Sequence, residues 1–166
     1  MVAESIDEAQ QSAELLAALE LAVPRYIQVM RRAVEENGDP EPLTLPQYRC
    51  LQAIDGRDVA LTTQLARELG VTVPTMSSRI DGLVERALVR RQPDPASRRQ
   101  IQVSLTASGA ATLTRYRALI DEQLNTRLAP LSAAARARLS GAFGELAALL
   151  APPTPGLSDG ARAESG

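Results

Sequence analysis

The chain has 166 residues, of which 45% are apolar, and it contains one Cys and neither His nor Trp. This length fits one compact domain with additional arms, and the composition excludes an ordinary zinc site and catalysis by a His base. The apolar runs are too short to span a bilayer, and the acidic N-terminus lacks the basic segment of a signal peptide. We therefore expect a cytoplasmic protein that is not an enzyme and that binds no metal or cofactor.

The formal net charge of −2 is unevenly distributed along the chain. Residues 1–41 carry a net charge of −6, whereas residues 42–106 carry +3. One window of fourteen residues holds five Arg against a single acid, Asp94; these are Arg86, Arg90, Arg91, Arg98 and Arg99. A local cationic patch on an acidic protein is typical of a small phosphate-binding surface.

A long amphipathic helix is predicted over residues 10–37. Its apolar residues recur every three or four positions, as Leu15, Leu19, Val23, Ile27, Met30 and Val34. Pro24 removes a backbone donor and predicts a kink or a helix start, and Gly38 predicts the end of the helix. Residues 39–42 have the composition of a linker.

Three shorter helices are predicted next from caps and apolar spacing. Their candidate N-caps are Thr44, Thr62 and Thr72, and Gly70 ends the second helix. The apolar face of the first consists of Leu45, Tyr48, Leu51 and Ile54. That of the second consists of Leu65 and Leu69, and that of the third of Met76, Ile80, Leu83 and Val84. Residues 59–61 predict a fragment of strand before the second helix.

The second and third of these helices have the spacing of a helix-turn-helix, in which Gly70 permits the sharp turn. The outward side of the third helix is small and hydroxylated near its start, so this helix can lie deep in a major groove. The hydroxyls that can donate to phosphates or base edges belong to Thr72, Thr75, Ser77 and Ser78. The alternative is that they are only caps and solvent-facing side chains.

A β-hairpin with a cationic tip is predicted after the helix-turn-helix. Residues 88–91 and 100–105 are extended, and residues 92–99 combine turn residues with charge. Arg98 and Arg99 are the tip residues that can enter a minor groove. Arg90 and Arg91, at the base, are expected to meet phosphates, which position a protein without specifying a sequence. A solvated charged face is the alternative.

Two helices are predicted towards the C-terminus. Thr106 caps the first, which runs to about Leu128 and is broken by Pro130. Ser132 begins the second, whose apolar stripe is Leu139, Phe143, Leu146 and Leu150. Residues 152–166 have too little apolar surface to fold and predict a disordered tail.

In combination, these segments resemble the MarR family of winged helix-turn-helix regulators. The resemblance rests on residues 43–48, 61–71, 78–91 and 94–109, and in the order of elements it extends over about residues 10–150. It implies a mainly α fold in which long dimerisation helices flank a winged helix-turn-helix with a small β-hairpin wing. The implied parts are an N-terminal helix and linker (1–42), a DNA-binding lobe (43–106), C-terminal dimerisation helices (107–151) and a tail (152–166).

The resemblance also implies a function. It implies a homodimer that binds a pseudo-palindromic operator in double-stranded DNA, and a repressor released by a small lipophilic or phenolic ligand. By position it places in the major groove Thr72, Val73, Pro74, Thr75, Ser77, Ser78 and Arg79. Arg99 becomes the minor-groove Arg of the wing, while Ser97 stands where the family usually has an Asp that orients it. The alternatives are a regulator with a vestigial ligand site and a winged-helix adaptor that binds proteins without DNA.

The resemblance places a ligand site between the helical dimer region and the DNA-binding lobe. The candidate ligand-binding residues near it are Tyr26, Met30, Tyr48 and Arg49. Met30 and Tyr48 lie on predicted apolar faces, so core packing is the alternative for both. Cys50 lies beside Leu51 and is predicted to be a small hydrophobic side chain; a redox role through a lowered thiol pKa is the alternative.

Overall fold

The computed structural model describes the backbone of residues 2–95 and 97–150, and the side chains of residues 10–95, 97 and 100–150. The chain divides into two compact units, one ending at Ala129 and the other beginning at Pro130. The predicted tail, residues 152–166, lies outside the described residues. In the part of the chain that is described, no helix is both long enough and apolar enough to cross a membrane.

The first unit contains five helices and a three-stranded antiparallel sheet among its described residues. The helices are α1 (Val2–Glu35), α2 (Leu45–Ile54), α3 (Thr62–Glu68), α4 (Val73–Glu85) and α5 (Ala107–Leu128). The strands β1 (Ala60–Leu61), β2 (Val89–Asp94) and β3 (Ser97–Leu105) are ordered β1-β3-β2. The predicted mainly α fold with a helix-turn-helix and a β-hairpin wing is confirmed.

Helix α1 continues through Pro24, so the predicted helix start at this residue is wrong. The apolar period predicted the helix, but it did not predict how much of its face is buried. Met30 and Val34 are buried in the core of the first unit, whereas the side chains of Leu15 and Val23 are 59% and 47% exposed. The helix ends at Glu35, where the Asn37 Nδ2 atom donates to the carbonyl of Val34 at 2.7 Å and Gly38, the predicted stop, follows with a φ of +79°.

Local capping fixes the starts of most other helices. Thr44 and Gln47 form a reciprocal capping box at α2, in which the Thr44 amide donates to Gln47 Oε1 at 2.9 Å. Thr72, Thr106 and Ser132 cap their helices as predicted. The predicted cap at Thr62 is wrong, because Thr62 is the first residue of α3 and its hydroxyl donates instead to the Ile101 carbonyl of β3 at 3.3 Å.

The core of the first unit lies between the helix-turn-helix, α2 and α5. Its fully buried side chains include Leu51, Ile54, Leu65, Met76, Ile80, Leu83, Val103, Leu113 and Tyr116. The predicted apolar faces of α2, α3 and α4 supply most of these residues. Cys50 is also fully buried, with its Sγ atom 3.7 Å from the Met76 Sδ atom.

A polar cluster joins the linker after α1 to α5. The Asp39 carboxylate accepts hydrogen bonds from Arg115 at 2.6 Å and from the Tyr116 hydroxyl at 3.1 Å. The same hydroxyl accepts from the Leu43 amide at 2.9 Å. The backbone amide of Glu41 and the Arg115 guanidinium lower the pKa of Asp39 below its usual value. Two segments distant in sequence, the linker after α1 and helix α5, therefore meet at one buried phenol.

The passage from α4 to the wing and on to α5 is tightly packed. Ala87 follows α4 with a φ of +53°, a left-handed conformation that L-residues other than Asn and Asp rarely adopt. Leu88 follows Ala87 in the chain. Gly109 lies so close to Leu88 that an added Cβ atom would be 1.9 Å from the Leu88 carbonyl oxygen. The start of α5 can therefore approach the base of the wing only without a side chain at this position.

The second unit contributes α6 (Ala133–Leu149). None of its described residues is buried. Of its predicted apolar stripe, Leu146 is half-buried, and Leu139, Phe143 and Leu150 are exposed.

Candidate nucleic-acid interface

The turn between α3 and α4 exposes the first residues of α4. Gly70 adopts a φ of +64°, and the Val71 amide donates to the Ala66 carbonyl at 2.9 Å, so the chain reverses within a few residues. Thr72 then caps α4, and its hydroxyl lies 2.8 Å from that of Thr75. The exposed N-terminus of α4 and two hydroxyls are thus presented together, and the positive end of the helix dipole favours an anion such as a phosphate there.

The predicted major-groove residues fall into two groups on α4. Five of them are exposed on the outward side: Thr72, Val73, Pro74, Thr75 and Ser78. The other two, Ser77 and Arg79, are half-buried. Arg79 lines a cleft between α4 and residues of α1 and α2, so its side chain is placed differently from those of the exposed group.

The pleat of the wing places Arg90 and Arg91 on opposite faces of the sheet. Arg90 pairs with Ser104 across the ladder, and its Nε atom donates to the Ser104 hydroxyl at 2.8 Å. Arg91 pairs with buried Val103, which puts it on the side of the sheet that faces the helices. There its guanidinium forms an ion pair with Asp81 of α4.

In the Arg-rich window of residues 86–99, some guanidinium groups are engaged within the protein, which the sequence does not indicate. The Arg86 guanidinium donates to the backbone carbonyl of Glu41 at 2.6 Å and to that of Pro42 at 3.4 Å, and its side chain is 19% exposed. Arg86 therefore anchors the linker to the end of α4. Both Arg86 and Arg91 are engaged by groups outside this window: backbone carbonyls of the linker for Arg86 and the Asp81 carboxylate for Arg91. A count of charges within the window does not include these partners.

The turn of the wing is shorter than the predicted turn over residues 92–99. Strand β2 continues to Asp94 and β3 already begins at Ser97. The backbone of Arg98 and Arg99 belongs to β3, while their side chains lie outside the described residues. The Asp94 carboxylate accepts a hydrogen bond from Gln102 at 3.2 Å.

The four candidate ligand-binding residues are in different environments. Met30 and Tyr48 belong to the hydrophobic core, and burial raises the pKa of Tyr48. Tyr26 is 49% exposed on α1. Of the four, Arg49 alone lines the cleft of about 350 Å³ that also contains Arg79.

Burial makes Cys50 a poor nucleophile. It raises the pKa of the thiol to about 11, even though Arg79 acts in the opposite direction. Because the thiolate is the reactive form, this environment is that of an inert core thiol and favours the predicted role as a small hydrophobic side chain.

Comparison with known proteins agrees with this geometry. Residues 41–100 match a model described as MarR family. A helix-turn-helix transcriptional regulator of Mycobacterium bovis, itself uncharacterised, is 30% identical over 138 residues, which cover 83% of this chain and 94% of that protein. A transcriptional repressor of the same organism is 30% identical over 92 residues, covering 55% of this chain and 66% of that protein.

The fold is also found in solved structures. A variant of Escherichia coli MarR in complex with operator DNA has a TM-score of 0.64 at 23% identity, covering 79% of this chain and 94% of that chain. At this identity the likeness shows the fold. The uncharacterised Mycobacterium bovis regulator is matched over nearly its whole length, and together with the family match it shows family membership. The chain belongs to the MarR family of winged helix-turn-helix transcriptional regulators.

Proposed function

We propose that the protein is a homodimeric repressor that binds a pseudo-palindromic operator through α4 and the β2–β3 wing and leaves it when a small ligand binds. The observation that carries this proposal is the exposed, capped start of α4 with the wing tied beside it by the Asp81–Arg91 ion pair. A relative named as a repressor and a structural neighbour solved with operator DNA support it. Family membership places the chain among transcriptional regulators and not among enzymes.

The chemistry of the exposed α4 surface supports major-groove binding. Thr75 and Ser78 provide donors and acceptors for base edges, and Val73 and Pro74 provide small apolar surface of the kind that contacts thymine methyl groups. The opposite side of α4 is held rigidly by buried Met76, Ile80 and Leu83. A helix fixed in this way keeps its outward residues in register with successive base pairs.

Exposed apolar side chains support the homodimer. On α1 they include Leu15, Leu16, Leu21 and Val23, and on α6 they include Leu139, Phe143 and Leu149. Concentrations of exposed apolar surface of this kind mark interaction sites. We assign residues 1–42 and 107–151 to dimerisation and residues 43–106 to DNA binding, and we place the protein in the cytoplasm, where its operator would be.

Fluorescence anisotropy tests the proposal, with a duplex from the region upstream of the protein's own gene and a scrambled duplex of the same composition. We expect submicromolar affinity for the upstream duplex and weaker affinity for the scrambled duplex. A plot of log affinity against log salt concentration should have a negative slope of about 0.9 for each phosphate contact. Analytical ultracentrifugation is expected to give twice the chain mass. The absence of salt-dependent, sequence-preferring duplex binding below micromolar concentration would favour the protein-interaction adaptor.

A further inference from the structure

The linker between α1 and α2, residues 36–44, is held by side chains along its length. The Asp39 amide donates to Asn37 Oδ1 at 3.0 Å, and the Glu41 amide donates to Asp39 Oδ1 at 3.1 Å. The Leu43 amide donates to a hydroxyl of α5 at 2.9 Å. The residues between these three are prolines, which have no amide hydrogen and a fixed φ. The linker therefore follows one defined path, with every amide from residue 39 to residue 43 bound.

The linker is attached on one side to α5 and on the other to α4. On the α5 side, the Asp39 carboxylate accepts from Arg115 at 2.6 Å and from the Tyr116 hydroxyl at 3.1 Å, and the Asp39 side chain is only 13% exposed. On the α4 side, the guanidinium of Arg86, the residue that ends this helix, donates to two successive linker carbonyls at 2.6 Å and 3.4 Å. The linker thus joins the end of α4 to α5.

This attachment connects the two functional parts of the first unit. Helix α4, which is proposed to bind DNA, packs against α2, α3 and β2. Helices α1 and α5, which are proposed for dimerisation, pack against each other. A guanidinium presents its donors in a rigid fork, so two carbonyls bound by Arg86 fix both the distance and the direction of the contact.

We propose that Arg86 is a positioning residue for operator recognition, which sets the spacing of the half-sites that the homodimer accepts. It does so by holding the end of α4 on the linker, and thereby the DNA-binding lobe relative to α1 and α5. The inference rests on the proposed function and deepens it. In a two-fold dimer, the two copies of α4 enter successive major grooves only if their separation matches one turn of DNA, about 34–36 Å.

Direct contact with a DNA phosphate is the competing role for Arg86. The linker carbonyls already bind its guanidinium, and the Glu41 carboxylate lies 3.9 Å from its Nε atom. A phosphate contact would affect all duplexes alike and would add to the salt dependence of binding. A positioning residue instead changes the preference among half-site spacings and leaves the salt dependence as it is. The two roles therefore give different results in one experiment.

Fluorescence anisotropy of the full-length protein with duplexes of altered spacing tests the inference. The probes are the upstream duplex and two versions of it, with one base pair inserted or deleted at the centre of the pseudo-palindrome. Each change moves one half-site by about 3.4 Å and rotates it by about a tenth of a turn. We expect the wild-type protein to bind each altered duplex at least about tenfold more weakly, because base contacts in one half-site fall out of register. This loss is the spacing penalty.

Substitutions of Arg86 are expected to lower the spacing penalty. In R86Q it should fall to about threefold or less, a change typical of mutations that loosen a connection between two sites, while the salt slope stays unchanged. R86K, whose ammonium group can still donate to a linker carbonyl, should retain most of the penalty. The matched control is R57Q, which removes the ion pair between Arg57 and Glu68 of α3 inside the DNA-binding lobe and should retain the full penalty.

A second variant tests whether Arg86 acts through the linker. D39N weakens the attachment of the linker to α5, so it should lower the spacing penalty as R86Q does. The double variant should lower the penalty no further than either single variant, because residues of one connection have non-additive effects. Hydrogen exchange of the DNA-free protein should be faster at the amides of residues 39–43 in R86Q than in the wild type, and unchanged in R57Q.

The outcomes separate this inference from the proposed function. If the wild-type protein binds the operator and R86Q retains the full spacing penalty, the inference is wrong and the repressor proposal stands. If R86Q weakens all three duplexes equally and reduces the salt slope by about 0.9, Arg86 contacts a phosphate and the inference is also wrong. An equal loss of the penalty in R57Q, or additive effects of R86Q and D39N, would contradict an action through the linker. A wild-type protein that binds no duplex overturns the proposed function, and the role of Arg86 with it.

Discussion

The Arg91 guanidinium of the wing forms an ion pair with the Asp81 carboxylate of α4. Arg91 lies on the helix-facing side of the hairpin, opposite buried Val103, and Asp81 lies on the third turn of α4. The two elements proposed to contact DNA are therefore connected directly through their side chains as well as through the core. Because both side chains are about half exposed, we expect the pair to set the direction of the wing more than the stability of the fold.

Replacing Asp81 with Asn tests this connection. The variant frees Arg91 for phosphates and removes a negative charge beside the duplex, so binding to a scrambled duplex should tighten. The slope of log affinity against log salt should steepen by up to about 0.9, the value of one phosphate contact. Discrimination between operator and scrambled duplex should fall. Anisotropy at several salt concentrations measures all three quantities.

The matched control is Asp55→Asn, which breaks the comparably exposed ion pair between Asp55 and Arg117 at the end of α2. It is expected to change neither the salt slope nor the discrimination. Equal effects of the two variants on the salt slope would show that the change reflects net charge alone and that the Asp81–Arg91 pair does not direct the wing.

Tyr116→Phe is expected to destabilise the first unit. The phenol accepts from the Leu43 amide and donates to Asp39, and its loss leaves the buried Leu43 amide without its hydrogen-bond acceptor. An unsatisfied buried donor costs about 1–3 kcal/mol in the free energy of unfolding. Urea denaturation followed by circular dichroism measures this change. Tyr26→Phe, at an exposed tyrosine of α1, is the control, and equal unfolding midpoints for the two variants would contradict the role given to the Tyr116 hydroxyl.

Gly109→Ala and Gly141→Ala are expected to change stability in opposite directions. A Cβ atom at position 109 would meet the Leu88 carbonyl oxygen at 1.9 Å, and relieving such overpacking costs about 1–3 kcal/mol. At position 141, inside α6, the added methyl group meets no atom within 4 Å. There the higher helix propensity of Ala should add up to about 1 kcal/mol. Thermal denaturation of the two variants tests the pair, and a stabilised Gly109→Ala variant would disprove the close approach of α5 to the wing.

The Cys50 thiol is expected to be unreactive in the folded protein. With its pKa raised to about 11, the thiol remains protonated at pH 8, and its burial blocks access of a reagent. Ellman's reagent should therefore modify the native protein at pH 8 only on the slow timescale of unfolding, and should modify one thiol per chain at once in denaturant. Rapid reaction of the native protein would revive the redox alternative.

Local signals made much of the fold predictable from sequence. Caps such as Thr44 and Thr72 act through hydrogen bonds to residues three positions away, and the apolar face of α4 follows from helical period alone. The burial of α1 was not predictable in the same way. Leu15 and Val34 belong to one periodic apolar stripe, but Val34 is buried in the core of the first unit and Leu15 is exposed.

The sequence predicted which Arg residues lie in the candidate site, but not which groups they interact with. Arg90 and Arg91 look equivalent in sequence, yet the pleat of the strand sends them to opposite faces. The partner of Arg91 is Asp81, ten residues away on another element, and Arg86 is engaged by the carbonyl of Glu41, forty-five residues away. Contacts of this kind depend on the tertiary fold, as does the cleft shared by Arg31, Arg49 and Arg79.

The measurement that tests the central claim most directly compares Arg99→Ala with Arg138→Ala in operator binding. Arg99 belongs to the wing strand β3, and Arg138 belongs to α6, outside the proposed DNA surface. If α4 and the wing together bind the operator, Arg99→Ala should weaken specific binding by about 1–3 kcal/mol and relax discrimination against the scrambled duplex, while Arg138→Ala should have little effect. An Arg99→Ala effect no larger than that of Arg138→Ala would contradict a DNA-binding wing.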